Sequence, residues 1–173
     1  MPAEPLNQFN ALPAAAAMEA LLGCCAAPSW ADRMLAGRPY CSPQDAIRQS
    51  DAIVSSLTAS ELGQALAAHP RIGELSAAGH ASGQAAEWSR QEQSAASTAT
   101  AKTAAELAAA NLEYEQRFGH IYLVCASGRT GEELLAMLRG RLRNDDQAEW
   151  QVVRSELRKI NEIRLRRLLA GTG

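Results

Sequence analysis

Apolar residues recur every three to four positions along most of this chain, which is the spacing of one face of an α-helix. The longest pattern of this kind extends from Trp150 to Leu168, and Asn144 or Asp145 precedes it as a capping residue. The sequence therefore predicts a long C-terminal helix.

A second helical pattern lies between about Thr103 and Phe118. Its apolar face is expected to be anchored by Leu107 and Leu112 together with Phe118. Gly119 follows directly, and a glycine readily adopts the left-handed conformation that ends a helix.

Capping signals mark the starts of further helices. Two segments, Thr58–Glu61 and Thr130–Glu133, fit the capping box, in which a hydroxyl and a carboxylate bind free backbone N–H groups at the helix start. Other helices are expected to begin where a proline occupies a first-turn position, at Pro13, Pro28 and Pro43.

Two segments depart from helical spacing. Residues 71–86 contain several glycines and few large apolar residues, so we expect a loop there. Residues 121–126 form an apolar, β-like run, but a lone strand would have no partner. We therefore expect this run to be buried extended chain or the first turn of a helix.

Composition supports the helical interpretation, because alanine is abundant and aromatic residues make up only 5% of the chain. A length of 173 residues fits one domain. We therefore predict an all-α protein, a single compact domain over residues 1–173 with about eight helices, of which the last is long.

The charge balance argues against a nucleic-acid partner. The chain has 17 Lys and Arg against 19 Asp and Glu, so it lacks the basic excess that binds a phosphate backbone. A locally basic stretch, Arg154–Arg167, is interrupted by Glu156 and Glu162, and we interpret it as a solvated helix face. The apolar run Ala14–Ala27 is too short for a membrane span, so we expect no membrane partner.

The cysteines and histidines match no metal motif or disulfide framework. The four cysteines are Cys24, Cys25, Cys41 and Cys125. The N-terminus also lacks the pattern of a signal peptide. We therefore expect no metal, buried free thiols in a reducing compartment, and a cytoplasmic protein.

His69 is a candidate for chemistry because of its position. It closes a predicted helix and precedes Pro70, which holds it in an extended conformation, so its side chain projects from a stiff junction. A lone histidine is more often structural, and the position alone does not decide between the two interpretations.

Ser89, Glu92 and Gln93 form a second candidate. Their spacing places a hydroxyl, a carboxylate and an amide on one helix face, where they could bind a polar ligand. The same Ser-x-x-Glu spacing is also that of a capping box, which is the commoner explanation when it is taken alone.

Two more features of the sequence have both a functional and a structural interpretation. In Phe118–Val124, a glycine followed by an apolar run can expose backbone groups to a ligand, or it can serve as a buried connector. Arg164 lies among apolar residues of the last helix, although a surface arginine with a partly buried stem is the more common case.

Several motifs occur together over nearly the whole chain. They are Phe9–Leu12, Trp30 with Arg38–Tyr40, His69–Gly73, Ser89–Gln93, Tyr114–Gly119 running into 121–126, Gly128-Arg129, Arg141-Leu142 with Asn144, Glu149, and Lys159–Leu165. In combination they resemble the 2-oxo-4-hydroxy-4-carboxy-5-ureidoimidazoline (OHCU) decarboxylase family. The His-Pro element and the Ser-x-x-Glu-Gln element at this separation are the specific part of the resemblance.

The resemblance implies an all-helical protein, commonly a homodimer, that converts a small-molecule substrate without a metal or organic cofactor. The implied reaction is decarboxylation of OHCU to (S)-allantoin in urate breakdown, with His69 as the catalytic acid/base and Glu92 as its partner carboxylate. The implied substrate contacts are Pro70, Ser89, Arg90, Gln91, Gln93, His120, Ile121, Tyr122, Leu123, Val124 and Arg164. Some members carry a proline-containing apolar segment where this chain has His120, a change that contacts made by the backbone would tolerate.

This chemistry suits the residues. Loss of carbon dioxide leaves electrons that the conjugated ring of the substrate accepts, so no cofactor is needed as an electron sink. A histidine titrates near neutrality and can move the protons of both steps. Two alternatives stay open: a relative that acts on another ureido or imidazoline compound, and a non-catalytic interaction module that uses the long C-terminal helix.

Overall fold

The structure is a computed structural model that describes residues 4–73 and 83–170. Within these ranges the chain forms nine α-helices, a 3-10 turn at Ala96–Thr98, and no β-strand. The helices are α1 (Glu4–Ala11), α2 (Ala14–Cys24), α3 (Pro28–Ala36), α4 (Pro43–Ser56), α5 (Ala59–Ala67), α6 (Gln84–Glu92), α7 (Ala101–Phe118), α8 (Gly131–Arg141) and α9 (Asp146–Ala170). The all-α prediction and the long C-terminal helix are confirmed, with one helix more than the expected eight. Within the same ranges, no helix is long and apolar enough to cross a membrane.

The chain divides into two compact units. Unit 1 contains the residues up to Ala65 and those from Leu157 onward, and unit 2 contains Leu66–Glu156. The organisation as a single domain stays a prediction.

Helix α1 was not evident in the apolar pattern, because it is short and is secured mainly by hydrogen bonds. The side chain of Asn10 donates to the carbonyl oxygen of Tyr40 at 2.9 Å and accepts from the N–H of the same residue at 3.0 Å. The Arg38 guanidinium donates to the carbonyl oxygens of Phe9 and Leu12 at 2.8 and 3.0 Å, where the end of a helix leaves carbonyls without partners. The non-helical link at residues 38–40 therefore also holds α1 in unit 1.

The core of unit 1 includes Trp30 of α3, which is fully buried. Its indole N–H donates to Oγ of Ser50 in α4 at 3.1 Å. The hydroxyl of Tyr40 donates to the carbonyl oxygen of Met34 at 2.7 Å. Each of these aromatic side chains thus buries its ring and satisfies its polar atom, as buried indoles and phenols require.

Four of the predicted helix starts, those of α4, α5, α8 and α9, are confirmed by their caps. At α8, Oγ1 of Thr130 accepts the N–H of Glu133 at 3.2 Å, and the Glu133 carboxylate accepts the N–H of Thr130 at 2.8 Å. At α9, Oδ1 of Asp145 accepts the N–H of Ala148 at 2.8 Å, so Asp145 is the capping residue rather than Asn144. Thr58 with Glu61 and Ser42 with Asp45 form the equivalent bonds at α5 and α4.

The two non-helical segments are partly as expected. Of the loop predicted at 71–86, residues 74–82 lie outside the described residues, and α6 begins at Gln84, so the predicted loop was too long at its end. Residues 121–126 are confirmed as a connector that is neither helix nor strand. Most of its side chains are buried, which is unusual for a loop and indicates that the segment belongs to the core of unit 2.

The predicted apolar face of α7 was wrong in one position. Leu112 is 55% exposed, whereas Leu107 and Tyr114 are buried, and Asn111 is buried between them in sequence. The amide of Asn111 donates to the carbonyl oxygen of Ile72 at 3.0 Å, so this face is selected by a polar contact as well as by apolar packing. Because Leu112 follows Asn111 by one residue, it is rotated by about 100° toward solvent.

All four cysteines are free thiols. Cys24 and Cys25 are buried and Cys125 is half-buried, but Cys41 is exposed, so the expectation of buried thiols was wrong for Cys41. Burial raises the pKa of the Cys25 thiol, which keeps it protonated.

Unit 2 contains a buried ion pair between Arg141, at the end of α8, and Glu149, in α9. Nε and Nη2 of Arg141 donate to Oε1 of Glu149 at 2.8 and 2.6 Å, and the two side chains are 7% and 1% exposed. The Tyr114 hydroxyl donates to the same oxygen, and the Asn144 amide donates to Oε2 at 2.8 Å. Both carboxylate oxygens therefore have donors, which offsets the cost of removing the charge from water.

Arg141 also contacts a backbone carbonyl and two aromatic rings. Its Nη1 donates to the carbonyl oxygen of Leu123 at 2.6 Å. Its guanidinium lies 4.7 Å from the centroid of the Tyr122 ring and 5.7 Å from that of Tyr114. Arg141 thus joins α8, α9, α7 and the connector at 121–126.

The pKa shifts follow from this arrangement. Burial alone would raise the pKa of Glu149, but the hydrogen bonds from Arg141 and Tyr114 outweigh burial and lower it. Burial raises the pKa of Tyr122 to about 12 and also raises the pKa of Tyr114. Near neutrality the carboxylate is therefore ionised, and both phenols keep their protons and act as donors.

We expect Glu149→Gln to lower the free energy of unfolding by about 3–5 kcal/mol, because it leaves the Arg141 charge buried without its counter-ion. Urea denaturation followed by far-UV circular dichroism measures this loss. The matched control is Glu106→Gln, which removes one partner of the exposed Arg139–Glu106 ion pair and should cost less than about 1 kcal/mol. Equal losses in the two variants would contradict the account of the buried pair.

The same variant tests the pH dependence of stability. The pKa of Glu149 is lower in the folded than in the unfolded chain, so its contribution is present above the unfolded value of about 4.3 and is lost as pH falls through the folded value. Between about pH 5 and pH 3, wild type should therefore lose more stability than Glu149→Gln. Parallel pH profiles for the two proteins would exclude Glu149 as a source of acid sensitivity.

Candidate active site

His69 lies just after the end of α5. The N–H of His69 still binds the carbonyl oxygen of Leu66 at 3.0 Å, and Pro70 then prevents the helix from continuing. His69 and Pro70 are both half-buried. We call residues His69–Gly73 the His-Pro segment.

Three contacts hold the His-Pro segment in unit 2. Arg71 forms a bidentate ion pair with Glu115 of α7, with N···O distances of 2.6 and 2.9 Å. The carbonyl oxygen of Ile72 accepts from Asn111 of α7, as described above. The N–H of Gly73 donates to Oε1 of Gln93 at 3.1 Å. The His-Pro segment, which has no regular structure, is therefore held by α7 and by Gln93 at the end of α6.

Ser89, Glu92 and Gln93 are all buried, with 5%, 8% and 5% exposure. They therefore lie on the inner face of α6 and directly after its end. Gly83 is the residue that precedes the helix, so Ser89 lies within α6 and the interpretation of Ser89 as a cap is wrong.

Arg90 and Gln91 lie on the other face of α6 and are exposed. Arg90 pairs with the carboxylate of Glu87 at 2.5 Å, and the Gln91 amide donates to the same carboxylate at 3.1 Å. These hydrogen bonds lower the pKa of Glu87. The role of Arg90 and Gln91 in substrate binding stays a prediction.

The bond between Gln93 and Gly73 joins the inner face of α6 to the His-Pro segment. A backbone N–H can only donate, so this contact assigns the carbonyl oxygen of the Gln93 amide to Gly73. The NH2 group of Gln93 is then the end that can donate to a ligand. The structure thus brings the His-Pro element and the Ser-x-x-Glu-Gln element of the sequence together in unit 2.

The connector at 121–126 shows an alternation in its backbone contacts. The carbonyl oxygen of Leu123 binds Arg141, the N–H of Cys125 donates to Glu156 at 2.8 Å, and the carbonyl oxygen of Cys125 accepts from Arg129 at 3.3 Å. Within the described ranges, the backbone N–H and C=O groups of Tyr122 and Val124 form no hydrogen bond. In an extended chain the N–H and C=O of one residue point to the same side and those of the next residue to the opposite side, so one side of the connector is anchored and the other can bind a ligand.

The side chain of His120 takes part in an aromatic cluster. Its ring centroid lies 4.5 Å from that of Trp150 and 5.5 Å from that of Tyr114, and its Nδ1 lies 3.0 Å from the carbonyl oxygen of Ile121. These contacts give the imidazole a packing role. Ile121 beside it is half-buried.

Arg164 belongs to unit 1 and is only 4% exposed, so the interpretation as a surface arginine is wrong. Its Nη1 donates to the carbonyl oxygen of Cys24 at 3.3 Å. The solvated face predicted for the basic stretch therefore holds for Arg166, which is exposed, and fails for Arg164. Substrate binding by Arg164 stays a prediction.

Sequence reasoning missed Asn111, Arg141 and Glu156 as residues that support the candidate site. Asn111 and Glu156 each interrupt an apolar helix face, and a polar residue in such a position is itself a signal of a specific buried contact. In the part of the chain that the structure describes, no three His, Cys, Asp or Glu residues are grouped as a metal would require.

Comparisons with known proteins show what this chain is similar to. A family model described as OHCU decarboxylase matches residues 10–166, a range that contains every candidate residue above. The chain is 30% identical over 147 residues to the uric acid degradation bifunctional protein TTL of Arabidopsis thaliana, covering 85% of this chain and 45% of that protein. It is 28% identical over 144 residues to the 2-oxo-4-hydroxy-4-carboxy-5-ureidoimidazoline decarboxylase of Amia calva, covering 82% of this chain and 81% of that protein.

A third relative is the uric acid degradation bifunctional protein of Bacillus sp. (strain TB-90), which is 26% identical over 94% of this chain and 32% of its own length. The chain thus spans less than half of either bifunctional relative. Among solved structures, OHCU decarboxylase in the presence of (S)-allantoin has a TM-score of 0.73 and 29% identity, over 86% of this chain and 96% of that one. An (S)-allantoin synthase structure, 18% identical with a TM-score of 0.68 over 95% of this chain and 54% of that one, supports the fold alone.

We expect Gly73→Ala to destabilise unit 2. Gly73 has φ of +88°, a conformation that costs an L-residue about 1–2 kcal/mol, and it carries the N–H that binds Gln93. The matched control is Gly63→Ala in α5, where a new Cβ meets no atom within 4 Å and should stabilise the helix by about 0.5–1 kcal/mol. Opposite shifts of the two urea midpoints are the expected result, and shifts of the same sign would contradict it.

Proposed function

Since this chain belongs to the OHCU decarboxylase family, we propose that it converts 2-oxo-4-hydroxy-4-carboxy-5-ureidoimidazoline to (S)-allantoin and carbon dioxide, a step of urate degradation. The observation that best supports this activity is the hydrogen bond between Gln93 and Gly73. It supports a site in which the buried face of α6, with Ser89 and Glu92, lies beside the segment that begins with His69.

The reaction is a decarboxylation at C4 of the substrate, which carries a hydroxyl and a carboxylate. The bond from C4 to the carboxylate breaks, its electron pair enters the conjugated ring, and carbon dioxide leaves. The hydroxyl loses its proton as it becomes a carbonyl, while the ring takes up two protons, one on the neighbouring carbon and one on a nitrogen. One of these replaces the hydroxyl proton and the other comes from solvent, so charge and atoms balance.

We assign the proton transfers to His69, with Glu92 as its partner carboxylate. An imidazole can accept the hydroxyl proton and return it to the ring near neutral pH. A carboxylate beside an imidazole selects its tautomer and stabilises its protonated form. Protonation on one face of the ring would then give the (S) product.

The substrate is rich in hydrogen-bonding groups, and the proposed site offers matching ones. The Ser89 hydroxyl and the NH2 group of Gln93 can bind the ureido arm or the ring, and Pro70 can pack against it. The backbone groups of His120–Val124, above all those of Tyr122 and Val124, can bind the remaining polar atoms. Arg164, Arg90 and Gln91 are assigned to substrate binding by the family resemblance alone.

The setting of the reaction is also part of the proposal. No cofactor is needed, because the substrate ring itself accepts the electrons released with carbon dioxide. Free cysteines fit a reducing compartment, so we propose that the protein acts in the cytoplasm. We further propose a homodimer, on the family resemblance.

The activity is tested with substrate prepared fresh from urate by urate oxidase and hydroxyisourate hydrolase. This protein is added without metal, and the circular dichroism of allantoin is followed. We expect rapid appearance of the (S) enantiomer. Slow formation of racemic allantoin, no faster than the uncatalysed decay, would contradict the activity and favour a non-catalytic interaction module.

The assigned roles are tested by His69→Ala and Glu92→Ala. Each should reduce kcat by at least about 10²-fold, the lower range for loss of a general acid–base group. The matched control is Glu113→Gln, an exposed carboxylate of α7 outside the proposed site, which should keep the wild-type rate. Near-normal turnover in His69→Ala would remove His69 from the mechanism while leaving the activity itself established.

A further inference from the structure

Glu156 is a buried carboxylate for which the reaction described above has no role. It is 4% exposed, and its helix carries buried apolar residues on either side of it in sequence, including Val153 and Leu157. An apolar residue at this position would continue the stripe, and a buried carboxylate is unfavourable unless donors surround it. A carboxyl group at this position therefore indicates a specific contact.

One such contact is with the backbone of the connector at 121–126. Oε2 of Glu156 accepts the N–H of Cys125 at 2.8 Å, within unit 2. Leu123 lies two residues before Cys125, and its carbonyl oxygen accepts a hydrogen bond from Arg141 at 2.6 Å. One group of each sign thus binds the backbone of the connector, the cation at a carbonyl and the anion at an N–H.

These two anchors decide which backbone groups are left for a ligand. They bind residues 123 and 125, whereas the N–H and C=O groups of Tyr122 and Val124 have no hydrogen bond within the described part of the chain. A shift of the connector by one residue would reverse this arrangement, because the N–H and C=O groups of successive residues in an extended chain face opposite sides. The anchors therefore control the register.

We propose that Glu156 is a positioning residue for catalysis: by holding the N–H of Cys125, it fixes the register of the connector so that the N–H and C=O groups of Tyr122 and Val124 face the substrate. This inference rests on the proposed function. Glu156 acts through the backbone and does not itself touch the substrate. What matters is its ability to accept a hydrogen bond at this distance, not its charge.

The experiment compares Glu156→Ala, which removes the acceptor, with Glu156→Gln, which keeps an acceptor oxygen and removes the charge. We expect kcat/KM of the alanine variant to fall by about 10- to 100-fold, since small displacements of binding groups cost this much. The glutamine variant should stay within about threefold of wild type, because an amide oxygen can accept the same N–H. The loss should include a rise in KM, the signature of weakened substrate binding.

Glu133→Ala is the matched control. Glu133 also accepts one backbone N–H, that of Thr130, but it caps α8 and does not touch the connector. Its loss should lower Tm without changing kcat/KM per folded molecule. If Glu156→Ala does not fold, Glu156→Asp replaces it, because the shorter side chain withdraws the acceptor while keeping the charge.

Selective 15N labelling of the four cysteines gives a readout that does not depend on activity. Exchange of the Cys125 amide should accelerate by at least about tenfold in Glu156→Ala and remain near wild type in Glu156→Gln. Normal kcat/KM in Glu156→Ala, or equal losses in the alanine and glutamine variants, would overturn the positioning role in an active protein. An inactive wild type with the expected exchange pattern would instead refute the proposed function and leave the anchor in place.

Discussion

Unit 2 depends on keeping two opposite charges buried side by side. Arg141 and Glu149 remain ionised because each has donors or acceptors on every side, including Tyr114 and the carbonyl of Leu123. A carboxylate in this position would otherwise gain a proton or draw in water. The pair therefore constrains the positions of the elements around it. Helices α7, α8 and α9 must approach closely enough to enclose the pair, and the connector must pass where Arg141 can reach its backbone.

Much of the fold could be predicted because its helices begin with local signals. The capping boxes at Thr58 and Thr130 depend on residues three positions apart, so the sequence contains the whole interaction. Helix α1 was missed because its contacts, from Arg38 and Tyr40, come from far along the chain. Leu112 was placed inside for the same reason, since the face of α7 is selected partly by a bond to Ile72 that no helical period reveals.

In the candidate site, too, the local features could be predicted from the sequence and the contacts between distant residues could not. The spacing of Ser89, Glu92 and Gln93 predicts a common face, and their burial agrees with it. Spacing alone could not choose between a ligand-binding face and a cap, because both use the same residue types; the position of Gly83 ahead of α6 decides this point. Nor could it reveal that Gln93 also supports the His-Pro segment, since that bond joins residues on different elements.

Helix α7 contributes to both segments of the proposed site at once. Asn111 and Glu115 hold the His-Pro segment, and Tyr114, between them in sequence, binds the carboxylate that orients Arg141 against the connector. Two segments attached to one rigid body share its thermal displacements. Their separation consequently fluctuates less than the position of either one, so the proposed site, made largely of irregular backbone, can keep its width while unit 2 as a whole vibrates.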